Sequence, residues 1–275
     1  MKTPRLLLHS RFRTSRRYPS GWLAGKRVLI TGASSGIGAA TARLLGAGGA
    51  HVLLVARREH EIAELADQIT AAGGSAAYAV ADLTVPEQVD KVIAWVADTF
   101  GHVDVLINNA GRSIRRPVLD AVDRFHDYER TMAINYFAAV RLTLGLLPAM
   151  RTQGSGQVVN VGTWGVGFET SPYFSAYLAS KTALVTFGRC LDAELSRDGI
   201  RVSAVNFPSV RTAMLAPTGK YAAQHALTPE EAARWIAVAI RKQPVRIEPW
   251  AVHGVRLVGL FSPRTAARLL VASGI

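Results

Sequence analysis

Tyr177 and Lys181 have the residue types and spacing that most directly indicate acid–base chemistry in this chain. They are four positions apart within 175–196, a stretch whose sequence predicts a helix, so their side chains share one helix face. A free tyrosine has a pKa of about 10. A cation about 4 Å away at an effective dielectric of 20 contributes about 4 kcal/mol, enough to lower that pKa by about 3 units. The pair is therefore sufficient for proton transfer near neutral pH, although the same spacing occurs on many surface helices.

A glycine-rich turn at residues 31–38, TGASSGIG, carries the second chemical signal. It follows an apolar run that predicts a buried strand and precedes a run of helix-forming residues. Gly32 permits a sharp turn, Gly36 lets a pyrophosphate approach the backbone, and Gly38 lets the helix pack close to its strand. The helix N-terminus offers free N–H groups and a positive dipole to an anion. The turn thus predicts a phosphate site, although many glycine turns bind nothing.

Strand and helix patterns alternate along the chain. Continuous apolar runs predict strands at 28–30, 51–56, 76–80, 103–107, 157–161 and 201–205, with a short last strand at 245–247. Helices are predicted over 59–72, 86–100, 124–150, 175–196 and 229–241. Such alternation is typical of a parallel sheet covered on both faces. The sequence predicts an α/β fold, a Rossmann-type doubly wound parallel sheet, with ligands beyond the carboxyl ends of the strands.

The expected organisation is a single domain with short basic tails. Residues 1–24 form the basic N-terminal tail, 25–249 the cofactor-binding domain, and 250–275 a C-terminal amphipathic extension. That extension mixes apolar residues with arginines, so it is expected to pack on the body, cover a substrate pocket or lie on a membrane. We predict a cytoplasmic protein, with peripheral membrane contact through the basic tails as the alternative.

Charge and composition exclude several functional classes. The chain has a net charge of +12, but residues 1–58 hold 11 basic and no acidic residues, so the excess lies largely outside the body. This distribution, with no recognisable binding motif, argues against nucleic acid as a partner. The seven histidines are scattered without ligand spacing and Cys190 is the only cysteine, so neither a metal site nor an internal disulfide is predicted. Cys190 is expected to be buried in the core.

The chemistry-bearing residues occur in a recognisable order. The glycine-rich turn is followed by Asn109-Ala110-Gly111, Asn135, a hydroxyl at a predicted strand end, Thr163, and then the segment 177–181, YLASK. In this order the chain resembles the short-chain dehydrogenase/reductase superfamily from about residue 26 to residue 247.

The resemblance implies a role for each catalytic residue. Tyr177 would donate a proton to the substrate carbonyl oxygen. Lys181 would lower the pKa of Tyr177 and bind the nicotinamide ribose, and Asn135 would hold a relay water. Thr163 stands where the superfamily has a catalytic serine, which is a departure because threonine is stiffer at χ1. Ser171 and Ser175 are the alternative hydroxyls.

The end of the second predicted strand favours NADP(H) as the cofactor. NAD-selective sites place an acidic residue there, whereas this chain has Arg57 and Arg58, which suit a 2′-phosphate. By resemblance Asp82 would contact the adenine, and the segment from Pro208 to Thr212 would cover the nicotinamide, with Ser209 replacing the usual glycine. The expected cofactor contacts are Gly32, Ser34, Ser35, Gly36, Ile37, Gly38, Arg57, Arg58, Asp82, Leu83, Asn109, Ala110, Gly111, Tyr177, Lys181, Pro208, Val210 and Thr212.

Further segments resemble bacterial long-chain fatty acyl-CoA reductases, notably 109–116, 125–132, 174–177, 189–191, 210–212, 216–218 and 227–233. The resemblance implies NADPH-dependent reduction of a lipid-like carbonyl, with a fatty acyl thioester reduced to an aldehyde. Arg112, Arg115 and Arg116 would then meet the phosphates of coenzyme A, or form a solvated loop. Trp164, Val166 and Phe168 would wall an apolar pocket, or pack an exposed loop.

Two other functions stay open. One is a ketone, aldehyde or 3-oxoacyl reductase; the other, from a different class, is a catalytically weak, cofactor-bound scaffold or sensor, which the substitution at Thr163 keeps open. The resemblance also implies a homo-oligomer, a dimer or tetramer, formed through the helices predicted at 124–150 and 175–196.

Overall fold

The framework is a seven-stranded parallel sheet in a computed structural model that describes residues 10, 14, 18–215 and 226–272. The strand order is β3-β2-β1-β4-β5-β6-β7, and every neighbouring pair is parallel. The strands are β1 Arg27–Thr31, β2 His51–Ala56, β3 Ser75–Val80, β4 Val105–Asn108, β5 Gly156–Thr163, β6 Ile200–Phe207 and β7 Arg246–Ile247. The order reverses direction between β1 and β4, which confirms the predicted doubly wound sheet.

Helices cover both faces of the sheet. They are α1 Gly36–Ala47, α2 Glu59–Ala71, α3 Pro86–Phe100, α4 Phe125–Met132, α5 Ala138–Gln153, α6 Gly165–Phe168, α7 Ser175–Leu195, α8 Pro229–Lys242, α9 Trp250–Phe261 and α10 Pro263–Ala272. Alternate residues of β1 point to opposite layers: Ile30 belongs to the core with Trp235 of α8, and Leu29 to the core with Leu142 of α5. Two separate apolar cores therefore hold the sheet between its helix layers.

Strands β5 and β6 extend two residues beyond their predicted ends. Their register runs from Gly156 opposite Ile200 to Thr163 opposite Phe207. The prediction stopped at the end of each aliphatic run, but the ladder continues through Gly162 and Thr163 of β5 and their partners Asn206 and Phe207 of β6. This extension fixes the backbone of Thr163 to the sheet.

The helix predicted at 124–150 contains an irregular turn. Residues Ala133–Phe137 form a π-helical turn between α4 and α5, a feature frequently found at functional sites. The continuous stretch Phe125–Gln153 has the length and apolar composition of a membrane-crossing helix. Here it packs against α3 and α7, with Thr131 and Leu142 fully buried, as an internal helix of the domain.

The C-terminal extension folds into two short helices, α9 and α10, which pack against each other and are called the C-terminal hairpin below. Val252 and Leu270 bury their side chains against Phe168 of α6. Arg256 donates a hydrogen bond to the buried carboxylate of Glu248 at 3.1 Å. The extension was expected to pack on the body, cover a substrate pocket or lie on a membrane. The structure shows the first of these along one side of the hairpin.

Asp104 joins β1 to the loop before β4. Its carboxylate accepts hydrogen bonds from Lys26 Nζ at 2.8 Å, the Arg27 backbone N–H at 2.8 Å and Gln153 Nε2 at 3.2 Å. Burial raises the pKa of Asp104, but these hydrogen bonds and the Lys26 charge outweigh it and hold the pKa below its usual value. The charged carboxylate is therefore more stable in the folded chain than in the unfolded one.

Replacing Asp104 with asparagine is expected to lower the free energy of unfolding at pH 7 by about 1–3 kcal/mol, because an amide cannot serve all three donors. A depressed folded pKa contributes stability above the unfolded pKa of about 3.9, and that contribution is lost as the pH falls through the folded pKa. Urea unfolding at pH 7 and pH 3 should show the gap between wild type and variant closing. The exposed Asp67→Asn change is the control, and an equal gap at both pH values would contradict the account.

Candidate functional site

A cavity of about 1070 Å³ lies where the carboxyl ends of the central strands meet, as the doubly wound fold predicts. Of the four predicted catalytic residues and the predicted cofactor contacts, all but Asn135 and Gly38 line this cavity. Segments from β1, β2, β4, β5, α7 and the loop after β6 therefore converge on one space, although they are far apart in sequence.

The glycine-rich turn has the geometry of a phosphate cradle. Gly32 has φ +65° and Gly36 φ +55°, a region that favours glycine. A Cβ on Gly32 would lie 2.8 Å from the Ala110 Cα, and one on Gly38 would overlap the Gly32 carbonyl oxygen. Gly38 thus packs α1 against its strand, as predicted, rather than lining the cavity. Packing therefore requires glycine at positions 32 and 38. The start of α1 that follows offers its backbone N–H groups to an anion.

Thr31 fixes the loop after β4 against the glycine-rich turn. Its Oγ1 accepts hydrogen bonds from the backbone N–H groups of Asn109 and Ala110, both at 3.0 Å, and donates to the Ile107 carbonyl. Asn109 Nδ2 donates in return to the Thr31 carbonyl at 2.9 Å. Sequence reasoning did not assign this role to Thr31, although a threonine at the end of a buried strand, before the turn, was the available signal.

Arg57 and Arg58 lie at the cofactor end of the cavity. Arg58 donates to Ser34 Oγ at 2.9 Å, and Arg57 forms an ion pair with Asp82 at 3.6 Å. Both arginines are largely exposed. Burial raises the pKa of Asp82, but hydrogen bonds from Thr84 and the Arg57 charge lower it to a net value below the ordinary one. The carboxylate at this end therefore stays charged and holds one arginine beside the cavity.

Three of the predicted catalytic residues line the same cavity. The phenol of Tyr177 lies within reach of the hydroxyl of Thr163, the last residue of β5. Lys181 is almost completely buried, and its Nζ donates to the Val161 carbonyl at 2.8 Å. The helix α7 and the extended β5 therefore place a phenol, a hydroxyl and an amine together, as predicted.

Burial controls the pKa values of this group, which differs from the sequence-based expectation. Burial raises the pKa of Tyr177 to about 12, while the hydrogen bond from Thr163 acts in the opposite direction. Burial lowers the pKa of Lys181 to about 8. The expected lowering of the Tyr177 pKa by Lys181 is therefore not found: burial, the largest cause, raises this pKa, and the opposing effect comes from Thr163. Tyr177 is protonated at neutral pH, the form required of a proton donor.

Asn135 lies in the π-helical turn and is fully buried. Its Oδ1 accepts from the Arg112 backbone N–H at 2.8 Å, and its Nδ2 donates to the Arg112 carbonyl and to Ser180 Oγ, both at 2.9 Å. Ser180 in turn donates to the Tyr177 carbonyl at 2.7 Å. Asn135 therefore ties the loop after β4 to the helix that carries the tyrosine. Its predicted role with a relay water stays a prediction.

The alternative hydroxyls separate in the structure. Ser171 lines the cavity, whereas Ser175 hydrogen-bonds Tyr128 at 2.9 Å and lies outside the lining. Among these three candidates, only Thr163 acts on the pKa of Tyr177, which it lowers.

Several sequence-based assignments need correction. Arg112 lines the cavity, but Arg115 stacks on the Tyr173 ring at 4.6 Å and Arg116 pairs with Asp127 at 3.0 Å, so both are held away from it. Trp164 lines the cavity as expected, whereas Val166 and Phe168 do not. Phe168 is instead committed to the core of the C-terminal hairpin. Cys190 is exposed rather than buried, because it lies on the outer face of α7.

Other cavity residues were missed. From α4 and the following turn come Glu129, Arg130, Ala133 and Ile134, and further apolar lining comes from Phe174, Leu178, Phe207, Met214 and Leu215. The π-helical turn changes which side chains of this stretch face the cavity, and a regular 3.6-residue period does not predict such a shift.

The sequence of the chain is similar to those of named reductases. The chain is 45% identical over 248 residues to a Mycobacterium tuberculosis protein named fatty acyl-CoA reductase, covering 90% of this chain and 84% of the relative. It is 49% identical over 236 residues to the fatty acyl-CoA reductase of Acinetobacter baylyi, covering 86% and 79%.

Solved structures give the same result for the fold. The L-sorbose reductase of Gluconobacter frateurii, complexed with NADPH and L-sorbose, superposes with a TM-score of 0.74 at 28% identity, covering 86% of this chain and 94% of that one. A metagenomic short-chain oxidoreductase in complex with NADP gives 0.68 at 30% identity, covering 78% and 90%. The sequence profile of short chain dehydrogenases matches residues 26–222. The chain therefore belongs to the short-chain dehydrogenase family.

Proposed function

We propose that this protein is an NADPH-dependent oxidoreductase that reduces a lipid-like carbonyl, and that its substrate is a fatty acyl thioester reduced to the aldehyde. One observation carries the proposal. The hydroxyls of Thr163 and Tyr177 and the amine of Lys181 line the same cavity as a glycine-rich phosphate cradle. Proton-donating groups and a dinucleotide site are thus within reach of one bound substrate.

The preference for NADP(H) rests on charge. Arg57 and Arg58 border the cradle, and Ser34 adds a hydroxyl that is already hydrogen-bonded to Arg58. Guanidinium groups form charge-assisted hydrogen bonds to a phosphate, which the 2′-position of NADP(H) carries and that of NAD(H) lacks. The relatives solved with NADP and NADPH support the same choice.

The proposal of an acyl thioester rests on the apolar and basic residues of the cavity lining. Trp164, Phe174, Leu178, Met214 and Leu215 give its lining an apolar side suited to an acyl chain. The exposed guanidinium groups of Arg112 and Arg130 are available for coenzyme A phosphates. The names of the two relatives at 45% and 49% identity point to the same substrate class.

The chain's own residues account for the chemistry. When bound, NADPH supplies the hydride to the acyl carbon. Thr163 and Tyr177 are placed to hydrogen-bond the oxyanion that forms, and Tyr177, protonated with a pKa of about 12, supplies the proton. Collapse of the intermediate breaks the carbon–sulfur bond, so one acyl-CoA, one NADPH and one proton yield one aldehyde, one NADP⁺ and one free thiol. The reaction requires no enzyme cysteine.

Replacing Arg57 and Arg58 together with alanine is expected to raise the KM for NADPH by about 10- to 100-fold and to leave the KM for NADH nearly unchanged. The reason is that the two guanidinium groups can hydrogen-bond only the cofactor that carries a 2′-phosphate. Initial rates with each cofactor measure the effect. Arg43→Ala with Arg241→Ala, two exposed arginines outside the cavity, is the matched control. An unchanged ratio of the two KM values would disprove this assignment.

A parallel substrate panel tests the proposed function. NADPH oxidation is followed at saturating cofactor with palmitoyl-CoA, hexadecanal and a 3-oxoacyl thioester, together with release of free thiol. We expect oxidation with palmitoyl-CoA and an equal amount of thiol. Oxidation with hexadecanal or the 3-oxo substrate alone would make the protein a carbonyl reductase, and NADPH binding without turnover on any substrate would favour a scaffold or sensor.

We also propose a homo-oligomer formed through α5 and α7. Phe137, the last residue of the π-helical turn, and Leu144 of α5 support it, since these residues are 59% and 50% exposed. Large exposed apolar patches are typical of subunit interfaces.

A further inference from the structure

The C-terminal hairpin has one packed side and one apolar exposed side. Val252 and Leu270 are buried against Phe168, and Arg256 is held by Glu248. These contacts bind the hairpin to α6 and to the end of the sheet. Its remaining surface is therefore presented outward by an anchored element.

The outward surface contains large apolar side chains. Leu257 is 59% exposed, Leu260 76% and Phe261 86%. Their spacing of i, i+3 and i+4 puts them on one helix face near the connection to α10. Trp250, one heptad before Leu257, is 55% exposed and extends the same face. The end of α9 thus carries a concentrated apolar surface.

Basic residues flank this surface. Arg264 and Arg268 are exposed one turn apart on α10. From residue 249 to the end, the sequence has no Asp or Glu. A helix with an apolar face and arginines at its border matches the headgroup and acyl boundary of an anionic membrane. At 12 residues α9 is too short to span a bilayer, which takes about 20 residues, so it would lie within the interface.

A second copy of the chain fits this surface less well. A twofold dimer would place the same face of each copy against the other. Arg264 and Arg268 of both copies would then approach, with no acidic residue of the hairpin to offset them. Anionic lipid, by contrast, complements both the charge and the apolar side chains.

We propose that the C-terminal hairpin is a membrane anchor that inserts Leu257, Leu260 and Phe261 into the surface of an anionic bilayer. The hairpin also adjoins the cavity: Trp164 lines the cavity and packs against the hairpin's core cluster. Membrane binding would therefore hold the substrate end of the cavity near a source of lipid, a consequence that rests on the proposed function. The anchoring itself does not depend on that function.

Flotation of the full chain with vesicles tests the proposal. We expect binding to vesicles of phosphatidylcholine with phosphatidylglycerol, and much weaker binding to phosphatidylcholine alone. The double variant Leu260→Glu with Phe261→Glu should lower the apparent affinity for anionic vesicles by about tenfold or more, since each apolar insertion is lost. The matched control is Leu119→Glu with Val122→Glu, a pair outside the hairpin that is 86% and 74% exposed and expected to bind as wild type.

Two results would overturn the proposal. The first is equal loss in both double variants, or no loss in either, which would assign any binding to net charge or to the N-terminal basic residues. The second is a hairpin double variant that binds vesicles as wild type but forms a smaller oligomer, as measured by light scattering. That result would make the hairpin a subunit contact. NADPH affinity, measured in the same samples, reports that the variants fold. Because vesicle binding needs no turnover, its outcome is separate from that of the substrate panel.

Discussion

The Tyr177→Phe enzyme is expected to bind NADPH as tightly as wild type and to lose about 10³-fold or more in kcat. Phenylalanine keeps the ring and its packing in α7 but removes the only group expected to donate the proton. General acid catalysis contributes about 10²- to 10⁴-fold. The phenol also hydrogen-bonds the oxyanion, so both contributions are lost together.

The measurement is a comparison of kcat with cofactor affinity. Single-turnover NADPH oxidation gives the chemical rate, and quenching of protein fluorescence gives the NADPH dissociation constant. Tyr173→Phe is the matched control, because Tyr173 lies four residues earlier on an exposed loop outside the cavity lining, and its ring still accepts the Arg115 guanidinium. A Tyr177→Phe rate within tenfold of wild type would remove this residue from the chemistry.

Replacing Thr163 with valine is expected to lower kcat by about 10²-fold, whereas serine should keep it within about tenfold. Valine keeps the branched shape and removes the hydroxyl, so the loss measures what this hydroxyl contributes beside Tyr177 and toward the oxyanion. Serine restores the hydroxyl with greater freedom at χ1. This result would show that the hydroxyl of Thr163 serves where the family resemblance implies a serine.

Ser171 provides the control for that series. It also lines the cavity, so Ser171→Ala should stay near the wild-type rate if Thr163 holds the catalytic position. A large loss in Ser171→Ala, with a near-normal rate in Thr163→Val, would transfer the role to the loop before α7.

The sequence predicts much of the fold because its signals are local. Uninterrupted aliphatic runs identify buried parallel strands, and Pro86 and Pro229 mark helix starts, which the structure confirms at α3 and α8. The motif residues converge because the carboxyl ends of parallel strands meet at one edge. The position of the cavity therefore follows from strand order alone.

The parts that sequence reasoning missed depend on tertiary contacts. The π-helical turn is not visible as a change in composition, yet it contains the buried Asn135 and two residues of the cavity lining, Ala133 and Ile134. The partners of Arg115 and Arg116 lie on other segments, so three similar arginines in one loop take different roles. The rise in the Tyr177 pKa likewise comes from burial, which spacing along a helix does not reveal.

The most direct test of the central claim is hydride transfer from NADPH to an acyl thioester. Palmitoyl-CoA is incubated with NADPH that carries deuterium at the transferring C4 position, and the lipid product is analysed by mass spectrometry beside a thiol assay. We predict hexadecanal with one deuterium at C1, or an alcohol with two if the aldehyde is reduced again, and one thiol released per acyl chain. NADPH-dependent deuteration of hexadecanal or a ketone, with no deuterium incorporated from palmitoyl-CoA and no thiol released, would contradict the acyl-thioester reductase.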